Sequence, residues 1–311
     1  MTVMVGEDRC GADISTSARR RIVLAEVAGF CFGVRRALKM AEDARDTNSG
    51  KLTLLGPLVH NSQVTERLKE TGVGTAQGIE DVHEGTVVVS AHGTAPIVLR
   101  QARERGLHVL DTTCPFVTKV HRSAKMLVQQ GYQVLLVGDP GHTEVKGVIA
   151  AIQEIGGSIV LVSSPDQIAT ITLAKKVGIV SQTTQRGENF ARIVAEVCKI
   201  VSDVRALNTV CNATEELQEA AVRLARQTDV VLVIGGRQSA NTRRLRDLCE
   251  EQGVAAYHIE TSADIDPAWL DGKSVVGLTA GASTPDWMIE DVARTVNDGA
   301  LPEDWSLQHP D

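Results

Sequence analysis

Three of the six cysteines in this 311-residue chain stand where an apolar run gives way to an amphipathic one. They are Cys31 in G-F-C-F-G-V, Cys114 in D-T-T-C-P-F-V-T-K-V-H and Cys211 in N-T-V-C-N-A-T-E-E. A polar loop follows each after 29, 28 and 28 residues: His60 in G-P-L-V-H-N, His142 in G-D-P-G-H-T-E and Ser239 in G-G-R-Q-S-A-N. A further loop closes each stretch, S-A-H-G-T at His92, S-Q-T-T at Thr183 and T-A-G-A-S at Ser283. Three such units around an axis would bring three sulfurs to one point. Three thiolates at one point make a metal site. A cysteine at the start of a helix also lies against backbone N–H groups at the positive end of the dipole, which predicts a lowered thiol pKa and a ready thiolate.

The spacing is neither the close C-x-x-C pairing of a zinc ribbon nor the tight run of a ferredoxin. A cluster held by three cysteines from distant segments leaves one iron without a protein thiolate, open to substrate as the free position of a catalytic zinc is. Taken singly, each cysteine reads equally well as a small core residue; the recurrence separates the two readings. Cys198 and Cys249 lie within helical patterns and are expected to pack, buried or half-buried. Cys10 falls in the leader.

His60, His92 and His142 each follow an apolar run and sit beside Gly or Asn. A lone histidine there is more often a surface group, but three in equivalent loops favour a shared anion. With the hydroxyls of Thr184, Ser239 and Ser283 and the amide of Asn241 they make a donor set of diphosphate size. Neither a Walker lysine nor a G-x-G-x-x-G turn accompanies them, so nucleotide binding has little support. Glu144 is the carboxylate of the H-T-E loop and a candidate for proton handling with Thr183, although a first-turn acid also suits a helix dipole. The arginines at 35–36 and 243–246 read as solvated helix faces.

The elements that must position these groups alternate. Short β-branched runs at 22–27, 52–55, 87–90, 134–137, 159–162, 177–180, 230–234 and 275–278 read as parallel strands buried on both faces. Helices are expected at 33–46, 62–70, 95–105, 115–130, 143–155, 187–201, 213–227 and 241–252. Alternation of this kind means an α/β protein with parallel sheets, whose ligands bind beyond the carboxyl ends of the strands. The expected organisation is a flexible leader (1–20), a first α/β unit (21–113 with 283–311), a second (114–209) and a third (210–282), related by a pseudo-threefold axis around the metal. The closing stretch at 283–305 is expected to pack on the first unit, and the tail beyond 298 to fray.

A net charge of −7 argues against a nucleic-acid partner. No run reaches the roughly 18–20 apolar residues of a membrane span, and the first 20 residues lack a secretory apolar block, so a cytoplasmic protein with reduced thiols is expected.

The motifs G-F-C-F-G-V, L-V-H-N, S-A-H-G-T, D-T-T-C-P-F-V-T-K-V-H, G-H-T-E-V-K-G, S-Q-T-T, V-C-N-A-T, G-G-R-Q-S-A-N and T-A-G-A-S occur in one order between Ile22 and Val296. In this the chain closely resembles the 4-hydroxy-3-methylbut-2-enyl diphosphate reductase (IspH/LytB) family. The resemblance implies a [4Fe–4S] cluster on Cys31, Cys114 and Cys211, with one iron not ligated by cysteine. It implies reductive loss of the substrate's allylic hydroxyl as water, giving isopentenyl and dimethylallyl diphosphates, the last step of the non-mevalonate isoprenoid route. By the same carry-over His60, His92, His142, Ser239, Asn241 and Ser283 hold the diphosphate with Thr184 close by, and Glu144 donates the proton with Thr183. Flavodoxin or ferredoxin is the implied electron donor. Two positions depart from the family pattern: Ala240 stands where a second serine is usual, and Thr143 where proline is common. They leave open a paralogue with altered substrate affinity. Rival readings are a non-catalytic iron–sulfur sensor or carrier, and a zinc hydrolase with a three-cysteine site.

Overall fold

The computed structural model describes residues 20–47, 50–297, 299–302 and 304–310. The leader and Cys10 lie outside the described residues. Twelve strands among the described residues form three four-stranded sheets, all parallel. The first sheet runs β3(Gly74–Ala76)-β2(Leu52–Leu55)-β4(Thr86–Val89)-β5(His108–Asp111). The second runs β7(Ile159–Val162)-β6(Gln133–Val137)-β8(Lys176–Ser181)-β9(Asp203–Ala206). The third runs β11(Ala255–Ile259)-β10(Val230–Ile234)-β12(Val275–Ala280)-β1(Arg21–Leu24). The three orders are the same in relative terms, which is the threefold repetition expected of the units.

The central strands are buried end to end, as their unbroken Val, Leu and Ile demand: β10 reads V-V-L-V-I and every residue is buried. Helices cover the sheets: α1(Phe32–Thr47), α2(Ser62–Glu70), α3(Pro96–Glu104), α4(Pro115–Gln129), α5(Thr143–Glu154), α6(Gly187–Ile200), α7(Asn212–Ala225), α8(Ala240–Glu251) and α9(Asp286–Val296). No helix among the described residues is long and apolar enough to cross a membrane.

Three expectations need correction. The strand at 21–24 does not join the first unit: it pairs with β12 from Arg21↔Val275 to Leu24↔Leu278 and completes the third sheet. Each cysteine therefore follows the last strand of the preceding sheet, and the chain's first strand supplies the edge that the third sheet would otherwise lack. The closing helix α9 likewise packs on the third unit, where Met288, Ile289 and Val292 join the core of β10 and β12. Nor is the tail loose. Leu301, Trp305 and Leu307 pack on that same core, and the Ala28 N–H donates to the Gln308 carbonyl at 2.9 Å. Tail apolar side chains that find an uncovered sheet edge are held by burial rather than by periodicity.

Candidate active site

The loops at the carboxyl ends of the three sheets surround one cavity. Cys31, Cys114 and Cys211 are free thiols on its wall. Each opens a helix, and the first-turn amides near each sulfur (Gly33 and Val34, Phe116 and Val117, Ala213 and Thr214) pull the thiol pKa down, although neither Cys114 nor Cys211 caps its helix with a side-chain hydrogen bond. Their own N–H groups are used equivalently. Cys31 donates to Ala282 O at 3.1 Å, Cys114 to Ala91 O at 3.0 Å and Cys211 to Thr183 O at 2.9 Å. Every cysteine is thus pinned to the loop that ends the sheet before it.

The N-terminal amides do not win. Burial pushes all three thiols above the usual range, Cys211 to about 12, so the helix-end stabilisation is outweighed by desolvation. Three thiolates in this pocket need a compensating cation. Gly33 leaves the room: a Cβ there would stand 2.5 Å from the Cys114 sulfur and 3.9 Å from that of Cys31. Among the described residues no three His, Cys, Asp or Glu side chains are arranged to hold a single metal ion. Cys31, Cys114 and Cys211 nevertheless line one cavity together, close enough to interact electrostatically.

The same cavity carries nitrogen and oxygen donors. The rings of His60 and His92 stack with centroids 3.9 Å apart, and His142 meets them edge-on at 5.1 and 5.8 Å. Desolvation lowers the pKa of all three, that of His60 to about 4, with neighbouring histidines and Arg243 adding to the effect. Both ring nitrogens of His60 and both amide atoms of Asn241 are buried without a hydrogen-bond partner. An unmet buried polar group costs about 1–3 kcal/mol, so the pair marks a place built for a ligand. Ser239 caps α8 by accepting the Thr242 N–H at 3.2 Å, which leaves its hydroxyl proton to donate. Ser283 and Thr184 line the same cavity, Thr184 accepting from Gln182 Nε2 at 2.8 Å.

Glu144 is not on the wall. It lies behind Thr183, 1% exposed, accepting the Thr183 N–H at 2.8 Å and facing the Thr183 hydroxyl at 2.7 Å. Burial raises its carboxyl to about 7 despite these bonds. Thr183 is therefore the surface through which the carboxyl reaches the cavity.

A profile of the LytB protein family matches residues 22–297 of the chain. The chain belongs to the LytB family. It is 43% identical over 277 residues to the 4-hydroxy-3-methylbut-2-enyl diphosphate reductase of Aquifex aeolicus, covering 89% of this chain and 96% of that protein. It is 42% identical to the namesake from Pelobacter propionicus, covering 89% and 98%. A solved structure of (E)-4-hydroxy-3-methyl-but-2-enyl diphosphate reductase, the terminal enzyme of the non-mevalonate pathway, is 42% identical with a TM-score of 0.67, covering 90% of this chain and 99% of that one. The corresponding reductase of Plasmodium falciparum is 26% identical with a TM-score of 0.85, covering 94% and 92%.

Several residues that hold the site in this LytB-family chain carry no motif signal. Arg244, read as part of a solvated face, instead pairs with Asp139 at 2.6 Å and joins the third unit to the loop before His142. Arg35 and Arg36 are ties as well, donating to the carbonyls of Phe30, Thr112 and Thr113. Gly236 lies so near the His60 carbonyl that a Cβ would sit 2.2 Å from it, a close approach that a lone glycine does not announce. Cys249 is buried as expected; Cys198 is exposed, against expectation, because it falls on the outer face of α6.

Proposed function

We propose that this chain is a 4-hydroxy-3-methylbut-2-enyl diphosphate reductase acting at the last step of the non-mevalonate pathway. The carrying observation is one cavity lined both by three free thiols and by the unpaired His60 and Asn241. In balance, the allylic alcohol takes two electrons and two protons, its C–O bond breaks, and water leaves with isopentenyl or dimethylallyl diphosphate as the product. Cys31, Cys114 and Cys211 would hold a [4Fe–4S] cluster, for which the free thiols, the first-turn amides near each sulfur and the space over Gly33 are suited. That cluster, when bound, supplies the electrons and a Lewis-acid position at the iron lacking a cysteine.

The chain's own residues do the rest. His60, His92, His142, Ser239, Asn241, Ser283 and Thr184 take the diphosphate, whose charge offsets the desolvation that keeps the imidazoles neutral. A protonated Glu144 donates to Thr183 Oγ1, whose own hydroxyl proton passes into the cavity, and a carboxyl at about 7 is suited to both states near neutrality. A sensor or carrier would have no use for the anion wall, and a lone zinc finds no three-ligand site among the described residues. Anaerobic turnover of the allylic diphosphate with reduced methyl viologen tests the reading: brown protein should consume reductant and release both isomers. Colourless protein that carries zinc and consumes none overturns it.

A further inference from the structure

The three cysteine-bearing helices repeat in position but not in charge. Five and eight residues beyond each cysteine stand Arg36 and Lys39 on α1, Lys119 and Arg122 on α4, but Glu216 and Glu219 on α7. With the residue after the cysteine, each pair occupies positions i, i+4 and i+7, which share one helix face. Lys39, Lys119, Arg122 and Glu219 are exposed, and Glu219 meets Arg223 one turn on at 3.5 Å. Lys39, Lys119 and Arg122 have no hydrogen bond or ion pair with any described residue, although the chain as a whole is acidic. Arg36 reaches Thr113 O at 3.3 Å, so α1 lies against the loop that leads through Cys114 into α4.

Two further observations make this face more than a solvated surface. Phe32, next to Cys31, is 46% exposed and shares its helix face with Arg36 and Lys39. Cys31 and Cys114 are also partly exposed, whereas Cys211, under the acidic helix, is buried. The two more exposed of these cysteines are therefore those that open the cationic helices. The acids near this face include Asp111, which is engaged by Thr113, and Glu42 and Asp43, three and four residues beyond Lys39.

We propose that the exposed faces of α1 and α4 around Phe32 dock an acidic one-electron carrier protein, and that the Glu216–Glu219 face of α7 repels it and sets its orientation. The proposal rests on the reductase reading, which needs two electrons per substrate. Two carrier molecules dock in turn, each oxidised by one electron; of the two protons taken up from the site and solvent, one leaves in water with the hydroxyl and the other adds to an allylic carbon. Opposite charge around an apolar contact gives steering and register.

The test uses the cluster-bound enzyme with a bacterial flavodoxin. For a K39E/K119E/R122E variant, the flavodoxin Kd measured by calorimetry and the KM for flavodoxin should each rise about tenfold or more, with a flatter salt dependence. Turnover with reduced methyl viologen should stay near that of the unmodified enzyme. An E216K/E219K variant should bind flavodoxin more tightly, which keeps the proposal testable if the first variant folds poorly. An unchanged flavodoxin Kd in both variants overturns the docking surface. Absence of methyl viologen turnover in the unmodified enzyme overturns the reductase reading instead, and the Kd values still decide the docking.

Discussion

The second unit and its two counterparts share a backbone and divide the chemistry. The carbonyls that accept the cysteine N–H groups identify equivalent positions: Ala91, Thr183 and Ala282. Only the second unit has a hydroxyl there. Two residues past the middle loop's leading residue stand Ser62, Glu144 and Asn241, and only the second unit has a carboxylate. The first unit supplies two stacked imidazoles and the third an unpaired amide. Repetition thus brings one thiol from each unit to the cavity, while the departures from it put the buried carboxyl–hydroxyl pair in the second unit alone.

If the thiol wall is truly shared, its three members should be interchangeable in their loss. Cys31→Ser, Cys114→Ser and Cys211→Ser should each abolish iron retention and turnover, whereas Cys198→Ser and Cys249→Ser retain both. Iron and sulfide analysis checks this. A variant among the first three that keeps a full iron complement breaks the equivalence, and one of the last two that loses it shows that the wrong thiols were assigned.

Glu144→Gln probes the difference between units. The amide keeps the shape and an acceptor for the Thr183 N–H but holds no transferable proton, so turnover should fall by about 10²–10⁴-fold with iron content unchanged. The pH dependence follows from the raised carboxyl. Glu144 is the proton donor only when neutral, so activity should be sustained below about 7 and decline as pH rises through that value. The decline should be missing from the residual activity of the variant. A variant with near-normal turnover, or an unaltered alkaline limb, removes Glu144 from the role.

Much of this arrangement is legible in residue order because it rests on local chemistry. The central strands are unbroken β-branched runs, and the polar loops follow them at matched spacing. The edge strands β3, β5, β9 and β11 were not foreseen: G-T-A, H-V-L-D, D-V-R-A and A-A-Y-H-I lack such runs, because an edge strand is only partly covered. The home of β1 is decided by pairing some 250 residues away, at Val275 to Leu278, which no local pattern encodes. The thiol pKa direction was missed for a related reason: a helix end is visible in sequence, whereas the depth of burial that outweighs it is not. Arg244 is the same case, a charge whose partner Asp139 lies 105 positions off.

The smallest expected effect lies where the third unit departs from its relatives. Ala240 is the first residue of α8, buried at 4% between Ser239 and Asn241 on the cavity wall. A hydroxyl at this position would add one donor to a wall that already has unpaired groups awaiting an anion. Ala240→Ser should therefore tighten binding of inorganic diphosphate by about 1 kcal/mol, several-fold in Kd, with little change in stability because the N-terminal turn tolerates serine. Thr143→Pro is its counterpart in the second unit. Thr143 opens α5, a position that suits proline, so stiffening there should leave diphosphate binding unaltered and act only on stability, by about 0.4–1 kcal/mol. Calorimetric titration of both variants separates a missing donor from a loosened loop. Tighter binding by T143P but not A240S would shift the weak point of the anion wall from the third unit to the second.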